Sequence, residues 1–438
     1  MGAVTGTVGS ALAAIVGAPR VQEGETAPAS FALDGARPRW VVRPETLLHV
    51  SQVLGLAWDA GLAVVPWGSG RDQELGAPPA RVDIVLDLGG LDQVLEYNPD
   101  DLTVTVQAGV TAAALAARLG ARRQFLPLDP PGAEARTLGG MAATNASGPL
   151  RLRYGTLRDL LLGVRFVQAD GVTTWGGARV VKSVSGYDVP KLMVGALGSL
   201  GVLGELTLRL HPLPDAEHTW LVPCRDVATA QELVLRLLDS TLQPSRVELL
   251  NAPALAVCGA PGSAAAIAVS IGTAEAAVKA QGEALGGLAR AVGSAAARPA
   301  EGFWARYAAA LAPAESVRLG VATLASKVAE TVGEIERAVA ASLSGAAPTI
   351  GGSAPLGSLR VSLPPAEPAS VKAIVERLRA AVAPAGGSVT VQRAPRGVRL
   401  ALDPWGPVEP SAFALMRALK EEFDARRVLN PGRFVGGL

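Results

Sequence analysis

Residues 137–148 read Thr-Leu-Gly-Gly-Met-Ala-Ala-Thr-Asn-Ala-Ser-Gly. Beyond Leu138, only Met141 carries real bulk, so the stretch cannot build a core by itself. Small residues remove the side-chain barrier and let backbone come close to something else. Thr137, Thr144, Asn145 and Ser147 add hydroxyl and amide groups that can bond a polar ligand. A tightly packed Ala/Gly helix is the competing reading, and Arg153-Tyr154-Gly155 just downstream argues against it. A second small-residue loop, Pro66-Trp67-Gly68-Ser69-Gly70, lies upstream. Two such loops in one domain point to a large, polyanionic cofactor.

The upstream loop continues into Arg71 and directly follows an apolar run at 63–65. Successive backbone N–H groups in such a turn make a concave anion site, and Arg71 adds charge. It is not a Rossmann fingerprint, because Gln73 stands where the third glycine would be, and no Gly-Lys-Ser/Thr follows to make a P-loop. Alone, it fits a plain turn as well as a phosphate site. Between the loops, Pro127-Leu128-Asp129-Pro130-Pro131-Gly132 is a rigid turn. Downstream come Lys182-Ser183-Val184-Ser185-Gly186-Tyr187-Asp188 and a glycine at every third position from Gly195 to Gly204. Glycines so closely spaced make a poor helix. They suit a backbone lying against a flat ligand, and the flanking apolar residues argue against a flexible loop.

Around these motifs the hydrophobic pattern alternates short strands with helices. Strands are expected at 40–42, 63–65, 84–86, 103–106, 162–167, 172–175 and 203–210, with Asp170-Gly171 as a hairpin turn. Val50, Val53, Leu54 and Ala57 recur at helical spacing after Pro44, and Gly61 ends that helix. Thr111 caps a helix over 112–119. Pro212 and Pro214 mark a boundary near 213. Beyond it, helices are expected at 228–238, 274–288, 327–343 and 369–382, and strands at 247–250, 266–271, 358–361, 389–392 and 398–402. This reads as an α+β unit, an antiparallel sheet with helices on one face. A last helix spans 408–424, before Asn430-Pro431-Gly432. The division is 1–34 lead-in with a short amphipathic helix, 35–213, 214–402 and 403–438.

The bulk composition excludes several classes. In 438 residues, 49% are hydrophobic and 18% charged, enough apolar material for full cores. A net charge of +1 gives no field for nucleic acid or an acidic membrane surface. Cys224 and Cys258 form no Cys-x-x-Cys pair and read as buried apolar thiols. Residues 1–19 hold no Lys or Arg, which a secretory leader needs, and no apolar run is long enough to span a bilayer. The expectation is a soluble cytoplasmic protein, with any membrane association made through partners.

In this order, the motifs resemble the FAD-binding domain of the vanillyl-alcohol-oxidase (PCMH-type) flavoprotein family. The resemblance covers roughly residues 35–213 and the tail Asn430-Pro431-Gly432-Arg433. Within the family, residues 181–192 are similar to the Val-Lys-Asn-Val-Ala-Gly-Tyr-Asp-Leu-x-Lys-Leu of the FAD-binding subunits of bacterial glycolate oxidases. The resemblance implies two α+β subdomains holding FAD and an α+β cap domain over the isoalloxazine. It implies that Pro66, Trp67, Gly68, Ser69, Gly70 and Arg71 wrap the pyrophosphate. Thr137, Leu138, Gly139, Gly140, Ala143, Thr144, Asn145, Ser147 and Gly148, with Pro130, would line pyrophosphate, ribityl chain and isoalloxazine. Tyr154 and Gly155 would close on the flavin. Gly198, Gly201, Val202 and Leu203 would approach the adenine half, and Asn430 would return from the tail. Neither His nor Cys occurs in residues 50–210, so no covalent tether through either is expected there.

The implied activity is oxidation of a small 2-hydroxy acid, with a flavin-bearing sister subunit and an iron–sulfur subunit as partners. Electrons would leave to a partner or quinone, since the chain has no cysteine cluster. An autonomous FAD-dependent alcohol or hydroxy-acid oxidase or dehydrogenase remains open. So does a non-catalytic FAD-bearing assembly or electron-relay subunit. The histidines are His49, His211 and His218, which give no metal site. The cap offers Arg246, Arg306, Tyr307, Arg360, Arg393, Arg396 and Arg399 for a carboxylate or a proton, and spacing singles out none of them.

Overall fold

A computed structural model describes residues 2–24, 29–178 and 187–438. Val181 to Gly186, which carry half of the glycolate-oxidase-like stretch, lie outside the described residues.

The first sheet has the order Val21–Glu23, Trp40–Val42, Ile84–Asp87, Val64–Trp67. The last three strands are parallel. Such strands are covered on both faces, which explains their unbroken apolar runs. The helix Leu47–Ala60 covers one face with Val50, Val53, Leu54 and Ala57. It starts at a Thr46 cap, whose hydroxyl accepts from His49 N at 3.1 Å, later than Pro44 alone suggests. Gly61 ends it in the left-handed region (φ 63°). The helix Gly2–Val16 adds Leu12 and Val16 to the same core.

The second sheet runs Val94–Asn98, Thr103–Gln107, Val202–Arg209, Leu161–Val167, Thr173–Gly177 and is antiparallel throughout. Asp170 and Gly171 turn the hairpin, with Asp170 Oδ1 accepting from Val172 N at 2.9 Å. The helices Ala112–Gly120 and Leu138–Thr144 bury Leu115, Leu119, Leu138 and Met141 against this sheet.

The third sheet has seven antiparallel strands: Ala216–Cys224, Ala265–Thr273, Arg246–Asn251, Thr349–Ser353, Ser358–Leu363, Val317–Ala322, Ser388–Arg393. Helices Val227–Leu238, Glu275–Ala291, Val328–Ser342 and Pro368–Val382 bury one face. The expectation of one helical face needs correction. Side chains alternate across a strand. Leu249, Ile267 and Val269 belong to that core, while Leu250, Ala266 and Ala268 pack on the other side against Ala252–Val257 and Phe303–Ala310.

The expected strand at 398–402 is also wrong: residues Arg396–Ala401 form a helix. Val398, Leu400 and Leu402 alternate as in a strand, but Leu400 is exposed. Arg399, on that helix, turns inward to bond Ala394 O, Gly76 O and Asp34. The strands at 216–224 and 349–353 escaped the pattern because His218 and Gly351-Gly352 interrupt their apolar alternation, and the strand at 317–322 alternates but is only six residues long.

Candidate functional site

The stretch that opened the sequence reading is partly helical after all. Thr137 caps the helix Leu138–Thr144, its hydroxyl accepting from Gly140 N at 3.3 Å. Small residues serve packing here as well as approach: a Cβ on Gly139 would lie 2.6 Å from the Ala108 Cβ. One on Gly68 would collide with the Thr137 hydroxyl, and one on Gly148 with the Asp129 carbonyl. The helix ends at Asn145 in the left-handed conformation (φ 48°), which Asn tolerates better than most residues. The Asn145 Oδ1 is buried and has no hydrogen-bond partner among the described residues. Such an atom costs about 1–3 kcal/mol unless something bonds it. Carbonyls of Ala142 and Ala143 accept from Gly195 N and Leu197 N, both at 2.9 Å, so the glycine-rich turn is tied to the end of this helix.

The 66–71 loop faces the same helix. Gly70 has φ 73°, and a Cβ there would lie 2.7 Å from the Trp67 ring. Around it stand three guanidinium groups. Arg71 lies free of any carboxylate within ion-pair distance among the described residues. Arg136 pairs with Asp72. Arg433 donates to Gln73 Oε1 (2.6 Å) and to Gln73 O (2.7 Å), while its Nε is buried without a partner. Burial lowers the Arg433 pKa to about 10, with nearby Arg399 adding to the effect, so it stays charged at neutral pH.

The tail completes the wall. Asn430 Nδ2 donates to Leu197 O at 2.6 Å, and its backbone N to Val64 O at 3.0 Å. Behind it the buried Lys420 ammonium bonds Asp424, Ser199 O and Leu429 O.

These groups line two joined cavities. The narrower is bounded by Pro66, Gly68, Ser69, Gly70 and Arg71 on one side, and by Gly140, Ala143, Thr144 and Asn430 on the other. The second, of about 340 Å³, separates Pro130, Thr144, Asn145 and Ser147 from Arg318, Arg360 and Gln392 on the third sheet. Trp67 lines a wider outer cleft with Arg318, Arg393 and Arg396.

Other expected residues are not in these walls. Leu138 and Gly139 are in the core. Thr137 is a buried cap, and Gly148 packs on Asp129. Tyr154 packs edge-on against Phe125 (5.6 Å) and His211 (4.9 Å), and Gly155 lies over Asp159. Gly201 meets Phe166, while Val202 and Leu203 are buried in their strand. Gly198 reaches the site only through Pro66 and Asn430.

The structure sorts the arginines that spacing left undivided. Arg306 holds the carbonyls of Cys258, Ala300 and Glu301, so it braces a loop. Arg399 is likewise internal. Arg393 pairs with Glu74. Arg246 bridges Asp129 (3.1 Å) and Glu217 (2.7 Å). Arg360 donates to Ser147 O and has no carboxylate within ion-pair distance among the described residues. Burial holds the His211 pKa below its usual value, and His218 lies beside Arg298 in a separate cleft with Trp220, outside these two cavities. Cys224 and Cys258 are buried free thiols, pushed up to about 11 by burial.

The donor set fits FAD. Glycine-turn amides with Arg71, Arg136 and Arg433 suit a pyrophosphate. The unpartnered Asn145 amide oxygen beside small-residue walls suits a flat, hydrogen-bonding ring. Sequence reasoning missed Asp72, Gln73, Arg136, Arg318 and Leu197. Leu197 was hidden among the glycines of the 195–204 series, the other four stand in no recognisable motif, and Arg433 was visible only as the end of the Asn-Pro-Gly-Arg tail.

Comparison with known proteins agrees. A family model described as FAD binding domain matches residues 38–177, and one described as FAD linked oxidases, C-terminal domain, matches 351–434. The glycolate oxidase subunit GlcD of Bacillus subtilis is 31% identical over 236 residues, 52% of this chain and 50% of that protein. The glycolate oxidase subunit GlcE of Escherichia coli is 35% identical over 179 residues, 40% of this chain and 49% of that protein. A probable mitochondrial D-lactate dehydrogenase of Danio rerio is 33% identical over 224 residues, 50% of this chain and 45% of that protein. The chain thus spans about half the length of the curated relatives it matches. Among solved structures, p-cresol methylhydroxylase superposes with a TM-score of 0.81 at 15% identity, covering 98% of this chain and 96% of that one. At that identity the likeness shows the fold, a PCMH-type FAD-binding architecture with an α+β cap.

Proposed function

We propose that this chain, whose residues 38–177 and 351–434 belong to the FAD-binding and FAD-linked-oxidase C-terminal domain families, works as a glycolate-oxidase-like subunit oxidising a small 2-hydroxy acid. FAD is the cofactor, and a non-covalent hold fits a cradle with no His or Cys in residues 50–210. When bound, it supplies the acceptor for the hydrogen and electron pair leaving the substrate carbon. Residues 66–71, Arg136 and Arg433 would hold its pyrophosphate. Asn145, Thr144, Ser147 and Pro130 would flank its ring system. We place the FAD-binding domain at 35–213, the cap at 214–402 and the returning tail at 403–438.

The carrying observation is Arg360. It reaches from the third sheet to the Ser147 carbonyl, makes no carboxylate contact at ion-pair distance among the described residues, with Glu248 and Asp129 feeling its charge from farther off, and lines the cavity beside Asn145. A guanidinium so placed anchors a carboxylate next to the small-residue wall. The names of the relatives, glycolate oxidase subunits and D-lactate dehydrogenases, lie in the same substrate class. A sister subunit and an iron–sulfur subunit, or a quinone, would take the electrons onward. The autonomous oxidase or dehydrogenase keeps its place because the cap here has its own arginine-lined cavity.

The test is anaerobic. The FAD-loaded chain is mixed with glycolate, D-lactate and L-lactate, alone and with co-purified partners. Bleaching of the flavin absorbance by one of them is expected. No bleaching by any, with partners present, refutes the substrate class. Bleaching of the isolated chain refutes a purely structural role.

A further inference from the structure

A smaller cavity of about 110 Å³ adjoins the 340 Å³ one and shares Pro131, Leu311 and Arg360 with it. Its other walls include Asp129, Arg246, Trp304 and Tyr307. Arg246 and Glu248 stand two apart on one strand and so point to the same face. Glu248 lies behind Tyr307 and accepts a hydrogen bond from the phenol. Both are almost fully buried, and Glu248 makes no ion pair at contact distance among the described residues, the Arg360 and Arg246 charges acting on it only from farther off. A buried carboxylate with no cation in contact is expensive to keep for stability alone.

We propose that Tyr307 and Glu248 together accept the hydroxyl proton of the substrate bound in this cavity. The proposal rests on the 2-hydroxy-acid reading above. The substrate O–H bond breaks and its proton passes to Tyr307 Oη, while the phenol proton passes to Glu248 Oε2. Bound FAD would supply the acceptor for the hydride, which would leave the same carbon with its electron pair as the carbinol becomes a carbonyl. Oxidation and proton release balance with no further reagent.

The surroundings suit the role. The groups facing the pair are Arg360 from its strand, Asp129 from the proline turn, Arg246 from Glu248's own strand, and Cys258 beside Tyr307. Burial raises Glu248 to about 7, against the lowering effect of Tyr307 and Arg360. An acceptor near the working pH is what proton transfer favours. Asp129 is a poorer acceptor, because Oδ1 already takes Leu150 N (2.9 Å) and Oδ2 takes Arg246 Nε (3.1 Å). No histidine lines the cavity.

Two variants test it, Tyr307→Phe and Glu248→Gln, each checked for FAD uptake and thermal melting. With the hydroxy acid that bleaches wild type fastest, bleaching should slow by about 10²–10⁴-fold in both. Oxalate affinity, read from its perturbation of the flavin spectrum, should change only a few-fold. Independently of turnover, infrared difference titration should show a carboxyl losing its proton near pH 7 in wild type and not in Glu248→Gln. Bleaching of Tyr307→Phe at wild-type speed overturns the proposal, as does the absence of that carboxyl from wild type. If wild type takes up FAD and no hydroxy acid bleaches it, the substrate reading falls and the proposal falls with it. If wild type bleaches and the variants bleach equally, only the proton acceptor falls.

Discussion

Replacing Lys420 by Met keeps an unbranched side chain only one atom shorter and removes its charge. Lys420 and Asp424 are 3% and 0% exposed, with Nζ 2.6 Å from Oδ2. The ammonium also donates to Ser199 O (2.7 Å) and Leu429 O (3.0 Å). Asp424 accepts from Val428 N and Leu429 N, each at 2.8 Å. This pair therefore ties the helix Pro410–Phe423 to the turn at Ser199 and to the tail that presents Asn430. Removing one partner leaves a buried carboxylate uncompensated, a loss of about 3–5 kcal/mol. The turn holding Leu197 shares the strain, and about 1.4 kcal/mol reaching that wall weakens FAD roughly tenfold. Denaturant unfolding of the apo protein and fluorescence titration with FAD measure the two effects. Adding Asp424→Asn removes the stranded charge, keeps an oxygen for Val428 N or Leu429 N, and should recover much of the stability. A Lys420→Met protein within about 1 kcal/mol of wild type, with unchanged FAD affinity, refutes the latch.

Asn145→Gly keeps the left-handed backbone and removes only the amide. FAD affinity should fall about tenfold in a titration while the apo protein holds its stability or gains from losing an unpartnered group. Arg360→Met should weaken oxalate about 10–100-fold, as expected for a charged hydrogen bond of about 1.5–3 kcal/mol, with FAD content unchanged. Folding holds the Glu248 carboxyl at about 7 against an ordinary 4.5, so between those values the folded chain keeps a proton the unfolded chain has released. That contribution is fully present below about pH 4.5 and is lost as pH rises to about 7, by roughly 3 kcal/mol. Glu248→Gln should flatten this fall, which unfolding midpoints at about pH 5 and about pH 8 will show.

The sequence was most legible where local rules coincide. Val50, Val53, Leu54 and Ala57 with the Gly61 end define their helix, and parallel strands read as continuous apolar runs. Legibility failed where side chains answer to distant partners. Arg399, in a strand-like pattern that folds as a helix, is buried against Asp34 and Gly76, partners 365 and 323 residues away. In the site, the glycine loops were plain because their spacing is local. The arginines were not, because which guanidinium is spare depends on where each carboxylate lies. Arg246, Arg360 and Arg399 look alike in sequence and differ only through Asp129, Ser147 and Asp34. The 137–148 stretch was ambiguous for a further reason. Gly139 is small so that a helix can sit on Ala108, while Gly140 and Ala143 are small beside a cavity, and composition does not separate the two.

In the proposed reading, residues 66–71, the 140–147 part of the small-residue stretch and Asn430 cradle a single FAD without a covalent link. Titration of the purified apo chain with FAD, followed by acid denaturation of the complex, tests it most directly. The expected result is saturation at one FAD per chain and recovery of all the flavin free of the precipitated protein. Failure to take up FAD, or flavin that stays with the denatured chain, would contradict it.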